Sequence, residues 1–210
     1  NWKDLKALGR IKDEGFALIY VYHKSVDNIW YAAAVQDEKI WATAFASSEP
    51  RVLKQILESL PYGREFQMAE KSSPYFERLL KTLHSIYLGK EASGNFHLEM
   101  QHLSNYAKKV LSALSKVPVG YVTAYQDLAR VAGGSPRAVG RVMAMNPFSP
   151  LIPCHRVVHA DFTLGGFGMG GAKVKREFLQ REDKGYKEQT RIIVDGKALT
   201  VFPVGYLWKN

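Results

Sequence analysis

Near its start, the chain has three short apolar runs separated by polar residues. Residues 16–47 are rich in β-branched and aromatic side chains, and polar residues interrupt them at "SVDN" and "QDEK". Apolar runs of this length, bounded by turn-forming residues, are typical of strands joined by hairpins. The pattern therefore predicts three short strands in an antiparallel meander.

Helical periods follow the meander. Apolar residues at Val52, Ile56, Leu57 and Leu60 predict one helix. A second helix is predicted between Pro74, near its start, and Gly89, near its end. Its apolar stripe, which we expect in the core, consists of Phe76, Leu79, Leu80, Leu83 and Tyr87. With the short extended piece "NFHLEM", these elements predict an N-terminal α/β domain over residues 1–98.

The second half of the chain has a different pattern. "LSNYAKKVLSALSKVPVG" predicts a helix that Pro118 and Gly120 end. "TAYQDLARVAGG", with Thr123 as N-cap, and "SPRAVGRVMAMN", with Ser135 as N-cap, predict two short helices across a glycine turn. This is the pattern of a helix-turn-helix, although helical hairpins in ordinary cores share it.

The C-terminal part of the chain predicts one more helix and a small appendage. "AKVKREFLQREDKGY" predicts the helix, and residues 187–210 carry two apolar runs on either side of Asp195-Gly196. We interpret residues 99–186 as a second domain, and residues 187–210 as a hairpin or an extended tail packed on the body.

The net charge of +9 is unevenly distributed over the 210 residues. Between Gln101 and Ala160 seven basic residues face one acid, Asp127, so this segment alone carries +6. A concentrated basic segment favours a polyanion such as nucleic acid as a partner, and a solvated basic surface is the alternative.

One cysteine, Cys154, excludes an internal disulfide and a cysteine-rich metal site. The six histidines show no metal-ligand spacing, so we expect neither a metal nor a cofactor. The apolar runs fall short of the roughly 18 residues of a membrane span. The polar opening "NWKDLKALGR" does not suggest a signal peptide, and these features together favour a reducing, cytoplasmic, nucleoid-associated or nuclear setting.

The segment "NPFSPLIPCHRVV" makes Cys154 a candidate nucleophile. Prolines stiffen the chain before it, and His155, a possible proton acceptor, follows it. An imidazole needs a carboxylate to orient it, and Glu177 and Glu182 are the local candidates. A lone cysteine is more often an inert small hydrophobe. The next run, "LGGFGMGG", is no phosphate loop; it suits close approach to a flat ligand, or is a mobile loop.

These motifs together resemble a known family. "MNPFSPLIPCHRVV", "LGGFGMGGAKVKREFLQRE", "VPVGYVTAYQDLARVAG" and "SPRAVGRVM" resemble the active site and helix-turn-helix of the O6-alkylguanine-DNA alkyltransferases, over Leu103 to Glu182. The resemblance implies an α/β protein: a ribonuclease-H-like domain with an antiparallel sheet, then a mostly helical, winged-helix-like domain. It also implies a single-turnover DNA-repair methyltransferase that moves the alkyl group from guanine O6, flipped out of duplex DNA, irreversibly to Cys154.

The resemblance also implies roles for individual residues. His155 would activate Cys154 through a water, Glu182 would hold the imidazole, and Asn146 would brace the turn. Tyr125 would press on the neighbouring phosphate and donate to the base, and Arg137 would enter the stack. Met143 and Phe167 would line the base pocket, with the carbonyls of Cys154 and Val157 and the amide of Gly168. Further DNA contacts would come from Gln126, Ser135, Ala138, Gly140 and Arg141.

Three departures from the family pattern stand in the sequence. Phe167-Gly168 replaces a frequent Tyr-Ser pair, so a hydroxyl near guanine O6 is missing. Ala144 stands where a basic residue is common, and the glycine loop is one residue longer than in many relatives. The expected partner is double-stranded DNA containing O6-alkylguanine. We expect a monomer in solution, with cooperative binding along DNA left open.

Three other functions compete with alkyl transfer. A non-enzymatic alkyltransferase-like protein would flag lesions, but such relatives usually replace the cysteine. A cysteine hydrolase would turn over through an acyl-enzyme and would not need the basic helices. A transcription regulator would need base-reading side chains, which Ala138, Val139, Gly140 and Val142 do not supply.

Overall fold

The computed structural model describes residues 18–91 and 94–209, which form a mixed α/β structure with two sheets and six helices. The strands are β1 (Ile19–Val26), β2 (Ile29–Gln36), β3 (Lys39–Ala46), β4 (Phe66–Met68), β5 (His97–Leu98), β6 (Tyr121–Ala124), β7 (Val157–Val158), β8 (Thr190–Val194) and β9 (Lys197–Pro203). The helices are α1 (Glu49–Glu58), α2 (Pro74–Tyr87), α3 (Asn105–Leu114), α4 (Tyr125–Ala132), α5 (Pro136–Ala144) and α6 (Gly171–Glu182). Within the described ranges, no helix is long and apolar enough to cross a membrane.

The predicted antiparallel meander is confirmed as β1, β2 and β3, although residues 16 and 17 lie outside the described residues. The five-stranded sheet has the order β4-β1-β2-β3-β5, and both edge strands run parallel to their neighbours. The tight turns at Asp27-Asn28 and Asp37-Glu38 have positive φ at both central residues. Such turns match the twist of paired strands, which explains why the polar breaks in the sequence mark them.

Both faces of this sheet are covered, so β2 and β3 are buried along most of their length. Helix α1 covers one face through Val52, Leu53 and Ile56. Helix α2 covers the other face with its predicted stripe; Tyr87, at the end of the stripe, is half-buried. The core beneath α2 continues into α3, α4 and α6, so the two halves of the chain share one core.

Helices α4 and α5 are the two short helices predicted for the helix-turn-helix, and Gly133 and Gly134, with φ of 84° and 92°, form the turn between them. Ser135 caps α5, because its hydroxyl accepts from the Ala138 amide at 3.3 Å. The prediction that Thr123 caps α4 is wrong. Thr123 lies in β6 and donates its hydroxyl to the Thr200 carbonyl at 2.9 Å, and Ala124 occupies the cap position. Pairing with a distant strand outweighs the local capping preference.

The C-terminal residues form a hairpin rather than an extended tail. Strands β8 and β9 pair around Asp195-Gly196, where both residues have positive φ. Strand β9 also pairs antiparallel with β6, which gives a second sheet in the order β7-β6-β9-β8. The hairpin buries Val194, Leu199 and Val201 in the main core, and it therefore lies beside the helix-turn-helix as part of one structure.

Candidate active site

The segment from Asn146 to Arg156 is buried throughout, apart from the half-buried Leu151. The Asn146 side chain closes it into a loop. Its amide donates to the Ile152 carbonyl at 3.0 Å, and its oxygen accepts from the Phe148 amide at 3.0 Å. The loop delivers the chain into a short 3-10 helix, Cys154–Arg156, so Cys154 has a fixed position.

A buried carboxylate joins the next two side chains. Glu182 Oε1 lies 2.9 Å from His155 Nε2, and Glu182 also accepts from Arg156 Nε at 2.9 Å and Nη2 at 2.8 Å. The other candidate carboxylate, Glu177, pairs instead with Arg181 at 3.6 Å. Among the described residues, the buried His155 Nδ1 has no hydrogen-bond partner. With Nε2–H held by an ionised carboxylate, Nδ1 carries a lone pair and is a proton acceptor.

The charges of this group follow from burial and pairing. Burial alone would raise the pKa of Glu182, but His155 and Arg156 outweigh it and lower that pKa to about 2. Burial lowers the pKa of His155, and the pull of Glu182 offsets this only partly, so the imidazole is neutral at rest. Glu182 is thus the anion, Arg156 its cation, and His155 an uncharged base.

Burial also has the largest effect on the pKa of the Cys154 thiol. Cys154 is 7% exposed, and burial raises the pKa of its thiol. Side-chain hydrogen bonds with Ser149 and Asn146 and the charge of Lys175 oppose that rise without cancelling it. The resting sulfur is therefore protonated, and a base has to remove its proton before it can act as a nucleophile.

Lys175, which no sequence motif singled out, is a buried cation whose charge acts on this sulfur. Its ammonium group donates to the Val157 carbonyl at 2.6 Å and to the carbonyls of Leu164 and Gly166. Burial lowers its pKa to about 8. A sequence signal existed: positions 175, 178, 179 and 182 are the buried stripe of α6, and two of them are charged. Charged residues at core-facing positions are rarely tolerated without a partner or a function.

The glycine run brings a backbone close to Tyr125, which begins α4 and is half-buried. A Cβ built on Gly165, where φ is +69°, would lie 3.2 Å from the Tyr125 hydroxyl and 3.0 Å from His159 Nε2. The Tyr125 and His159 rings are 5.2 Å apart. Gly165 therefore permits a close approach that a larger residue would obstruct.

The residues predicted for a base pocket differ in their surroundings. Met143 is half-buried against the core, and Gly168 is exposed. The Phe167 ring is buried beside the rings of His155 and Phe178, at 6.2 and 6.1 Å. Among the described residues, the Cys154 carbonyl accepts a hydrogen bond from the Val157 amide, and the Val157 carbonyl accepts one from Lys175. Each keeps a second lone pair for a ligand.

A small cavity lies behind the active-site segment and does not include Cys154. It measures about 200 Å³ and is lined by Val117, Pro150, Pro153 and Arg156, among others.

The helix-turn-helix presents a basic surface with little side-chain bulk. Arg137 and Arg141 are exposed on α5, Gln126 is exposed on α4, and Ser135 is exposed at the cap. Ala138 is half-buried. A Cβ built on the half-buried Gly140 would meet no atom within 4 Å, so this helix borders open space.

Two of the seven basic residues in the segment 101–160 are neutralised by acids. Arg130 pairs with Asp127 at 2.8 Å, and Arg156 pairs with Glu182. Lys108, Lys109, Lys116, Arg137 and Arg141 have no acid within ion-pair distance in the part of the chain that the structure describes. These five charges are available to a polyanion.

A neutral imidazole held by a buried carboxylate follows the thiol directly in sequence, and exposed arginines lie on the neighbouring helix α5. This arrangement suits a protein that binds a polyanion and uses its cysteine as a nucleophile. Comparison with known proteins gives the same class. Residues 105–184 match the model of the "6-O-methylguanine DNA methyltransferase, DNA binding domain" family. The chain belongs to the methylated-DNA–protein-cysteine methyltransferase family.

Individual relatives show how far the similarity extends. The chain is 47% identical to such a methyltransferase of Pyrobaculum aerophilum over 85 residues, which are 40% of this chain and 56% of that protein. The chain thus spans about half the length of the first curated relatives that it matches. It is 37% identical to the Metallosphaera sedula protein over 51% of this chain and 67% of that one.

A solved structure extends the similarity across both halves of the chain. The O6-methylguanine-DNA methyltransferase of Pyrococcus kodakaraensis strain KOD1 superposes with a TM-score of 0.62 at 26% identity. The superposition covers 79% of this chain and 99% of that one. The N-terminal sheet, which the sequence related to the family only by pattern, is therefore part of the shared fold.

Proposed function

We propose that this protein repairs DNA by transferring the alkyl group of O6-alkylguanine to Cys154 in a single turnover. The observation that carries the proposal is the buried Cys154–His155–Glu182 group, with one unpartnered imidazole nitrogen, beside a basic helix-turn-helix. Family membership supports the same reaction.

The resting protonation states support a relay. A water between Cys154 Sγ and His155 Nδ1 takes the thiol proton and passes its own to the imidazole. The sulfur then attacks the alkyl carbon, a carbon–sulfur bond forms, and the carbon–O6 bond breaks with its electron pair left on guanine. The imidazolium of His155 then returns the proton to the departing guanine, which restores the normal nucleobase. The thioether on Cys154 is permanent. Glu182 stabilises the imidazolium that the relay creates.

Base flipping explains why this chemistry needs a DNA-binding surface. A stacked guanine O6 cannot reach a buried sulfur, so the nucleotide has to leave the duplex at a cost of about a few kcal/mol. Arg137 would fill the gap, while Tyr125 would press on the adjoining phosphate and donate to the base. The small side chains of α5 suit a minor-groove approach, in which little sequence is read.

The finer description of the fold belongs to this proposal. The order β4-β1-β2-β3-β5, with an antiparallel meander and parallel flanking strands, supports a ribonuclease-H-like N-terminal domain. Its predicted range is residues 1–98, of which residues 1–17 and 92–93 lie outside the described residues. The β8–β9 hairpin on β6, beside α4 and α5, supports a winged-helix-like domain that includes residues 99–186 and the hairpin. Cytoplasmic or nucleoid residence as a monomer completes the proposal.

The test is to weigh the intact protein and DNA after mixing with a duplex that contains O6-methylguanine. We expect the protein to gain one methylene mass per molecule on Cys154 while the DNA loses it. Cys154→Ala should bind the duplex as tightly as the unchanged protein and gain nothing.

The competing functions predict other results from the same experiment. Binding without any gain of mass would identify a protein that only flags lesions. Release of product over many turnovers would identify a hydrolase, and transfer by Cys154→Ala would refute the assignment of the nucleophile.

A further inference from the structure

A buried hydroxyl lies next to the reactive sulfur. Ser149 Oγ is 3.5 Å from Cys154 Sγ, and Ser149 is 1% exposed. A hydroxyl accepts from a thiol, and it donates to a thiolate after rotating about its C–O bond. The same contact can therefore serve both protonation states of the sulfur, provided that the serine is held in place.

The residue that binds the backbone of Ser149 is Thr43, which belongs to the N-terminal half of the chain. Thr43 lies in β3, between β2 and β5, and is fully buried. Its amide donates to the Pro147 carbonyl at 2.8 Å, and its hydroxyl donates to the Ser149 carbonyl at 3.0 Å. These two bonds bracket Phe148 and fasten the loop to the sheet, 106 residues away in sequence from Ser149.

Hydrogen bonds within the loop also stabilise it, but they involve other atoms than those that Thr43 binds. Asn146 binds the Ile152 carbonyl and the Phe148 amide, and neither bond touches Ser149. The orientation of Ser149 is therefore left to Thr43, because a buried serine carbonyl without a partner would be costly and the loop would move to satisfy it.

We infer that Thr43 is a positioning residue that aims the Ser149 hydroxyl at Cys154 Sγ, so that the N-terminal sheet stabilises the thiolate formed in the proposed transfer. No bond of Ser149 is made or broken. As the proton leaves sulfur through the water and His155, the hydroxyl turns and donates to the new negative charge. The Ser149 contact also counts among the influences that lower the pKa of the buried thiol.

The inference rests on the proposed function for its purpose, but its test does not need DNA. Cys154 is the sole cysteine of the chain, so thiolate absorbance in the ultraviolet and alkylation by iodoacetamide both report on this one sulfur. We would follow each as a function of pH in the unchanged protein and in Ser149→Ala, Thr43→Val, Thr43→Ser and the double variant Ser149→Ala/Thr43→Val.

Ser149→Ala should leave about tenfold less thiolate at a given pH, because one hydrogen bond to the charged form is lost. Thr43→Val should move the titration in the same direction, since valine keeps the amide bond to Pro147 but loses the bond to Ser149. Thr43→Ser should restore it. The double variant should match Ser149→Ala alone, because Thr43 acts through Ser149.

Thr82→Val, at a buried threonine of α2, is the matched control and should leave the titration unchanged. Unfolding curves for each variant separate loss of the fold from loss of the contact. The inference is overturned if Ser149→Ala titrates as the unchanged protein does, or if Thr43→Val adds its full effect to Ser149→Ala. A shifted titration without methyl transfer to the unchanged protein would refute the proposed function and leave this role standing.

Discussion

At the scale of single residues, Glu182 is the buried anion to which both His155 and Arg156 of the site are bonded. It is fully buried, accepts from one cation through two bonds, and orients a neutral imidazole through a third. Removing one partner of such a group leaves a buried charge without compensation. Catalytic orientation and stability therefore depend on the same carboxylate.

Glu182→Gln should lower the free energy of unfolding at pH 7 by roughly 3–5 kcal/mol, because Arg156 loses its buried counter-charge. Glu177→Gln is the control on the same helix, and loss of its half-exposed pair with Arg181 should cost about 0–1 kcal/mol. Urea unfolding measures both. Equal effects of the two substitutions would contradict the structural account of Glu182.

The pH dependence of the same variant follows from the lowered pKa of Glu182. Because the folded pKa is about 2 and the ordinary value 4.5, the unfolded chain takes up the proton first. The contribution of Glu182 is therefore complete above about pH 4.5 and is lost as the pH falls towards 2. In Glu182→Gln, the free energy of unfolding should change less with pH between about pH 4.5 and 2. In Glu177→Gln, it should change with pH as steeply as in the unchanged protein.

At the scale of elements, the β8–β9 hairpin is part of the folded body. Leu199 is fully buried in the main core, while Ile193 on the same hairpin is 71% exposed. Leu199→Ala should cost about 2–5 kcal/mol of unfolding free energy, as for other buried leucines. Ile193→Ala should change it by no more than about 0.5 kcal/mol. A loosely attached tail would instead give no loss in either variant, which urea unfolding would reveal.

Elements set by local pattern could be predicted from the sequence, and elements set by distant partners could not. The meander is marked by its apolar runs and its Asp-Asn and Asp-Glu turns. Strand β6 is short, and its antiparallel partner β9 lies about 80 residues later, so Thr123 was assigned to a helix cap. The cysteine, its histidine and Glu182 stand in recognisable motifs. The contacts of Ser149 with Cys154 and with Thr43 join distant parts of the chain, so only the three-dimensional structure reveals them. Lys175 is marked in the sequence only by its charge within the apolar stripe of α6.

At the scale of the whole molecule, aromatic packing joins the N-terminal sheet to the site. The Phe45 ring of β3 and the Tyr87 ring of α2 lie 5.1 and 5.3 Å from Phe178 of α6, and Phe178 lies 4.9 Å from His155. The imidazole therefore rests on a cluster that both halves of the chain build. The N-terminal sheet, which lies outside the matched residues 105–184, therefore takes part in holding the imidazole in place.

The distribution of charge over the molecule predicts how DNA binding responds to salt. Five cations of the segment 101–160 have no acid within ion-pair distance among the residues that the structure describes, and each one that meets a phosphate releases counterions on binding. Arg141→Ala should weaken binding about equally for duplexes of different sequence, and it should reduce the slope of log affinity against log salt by about 1. Arg51→Ala removes the same charge from an exposed position of α1 and should change neither quantity. Fluorescence anisotropy over a range of salt concentrations would measure both. If the two substitutions reduced the slope equally, the affinity would depend on net charge alone, and the basic helix-turn-helix would not be the surface that meets DNA.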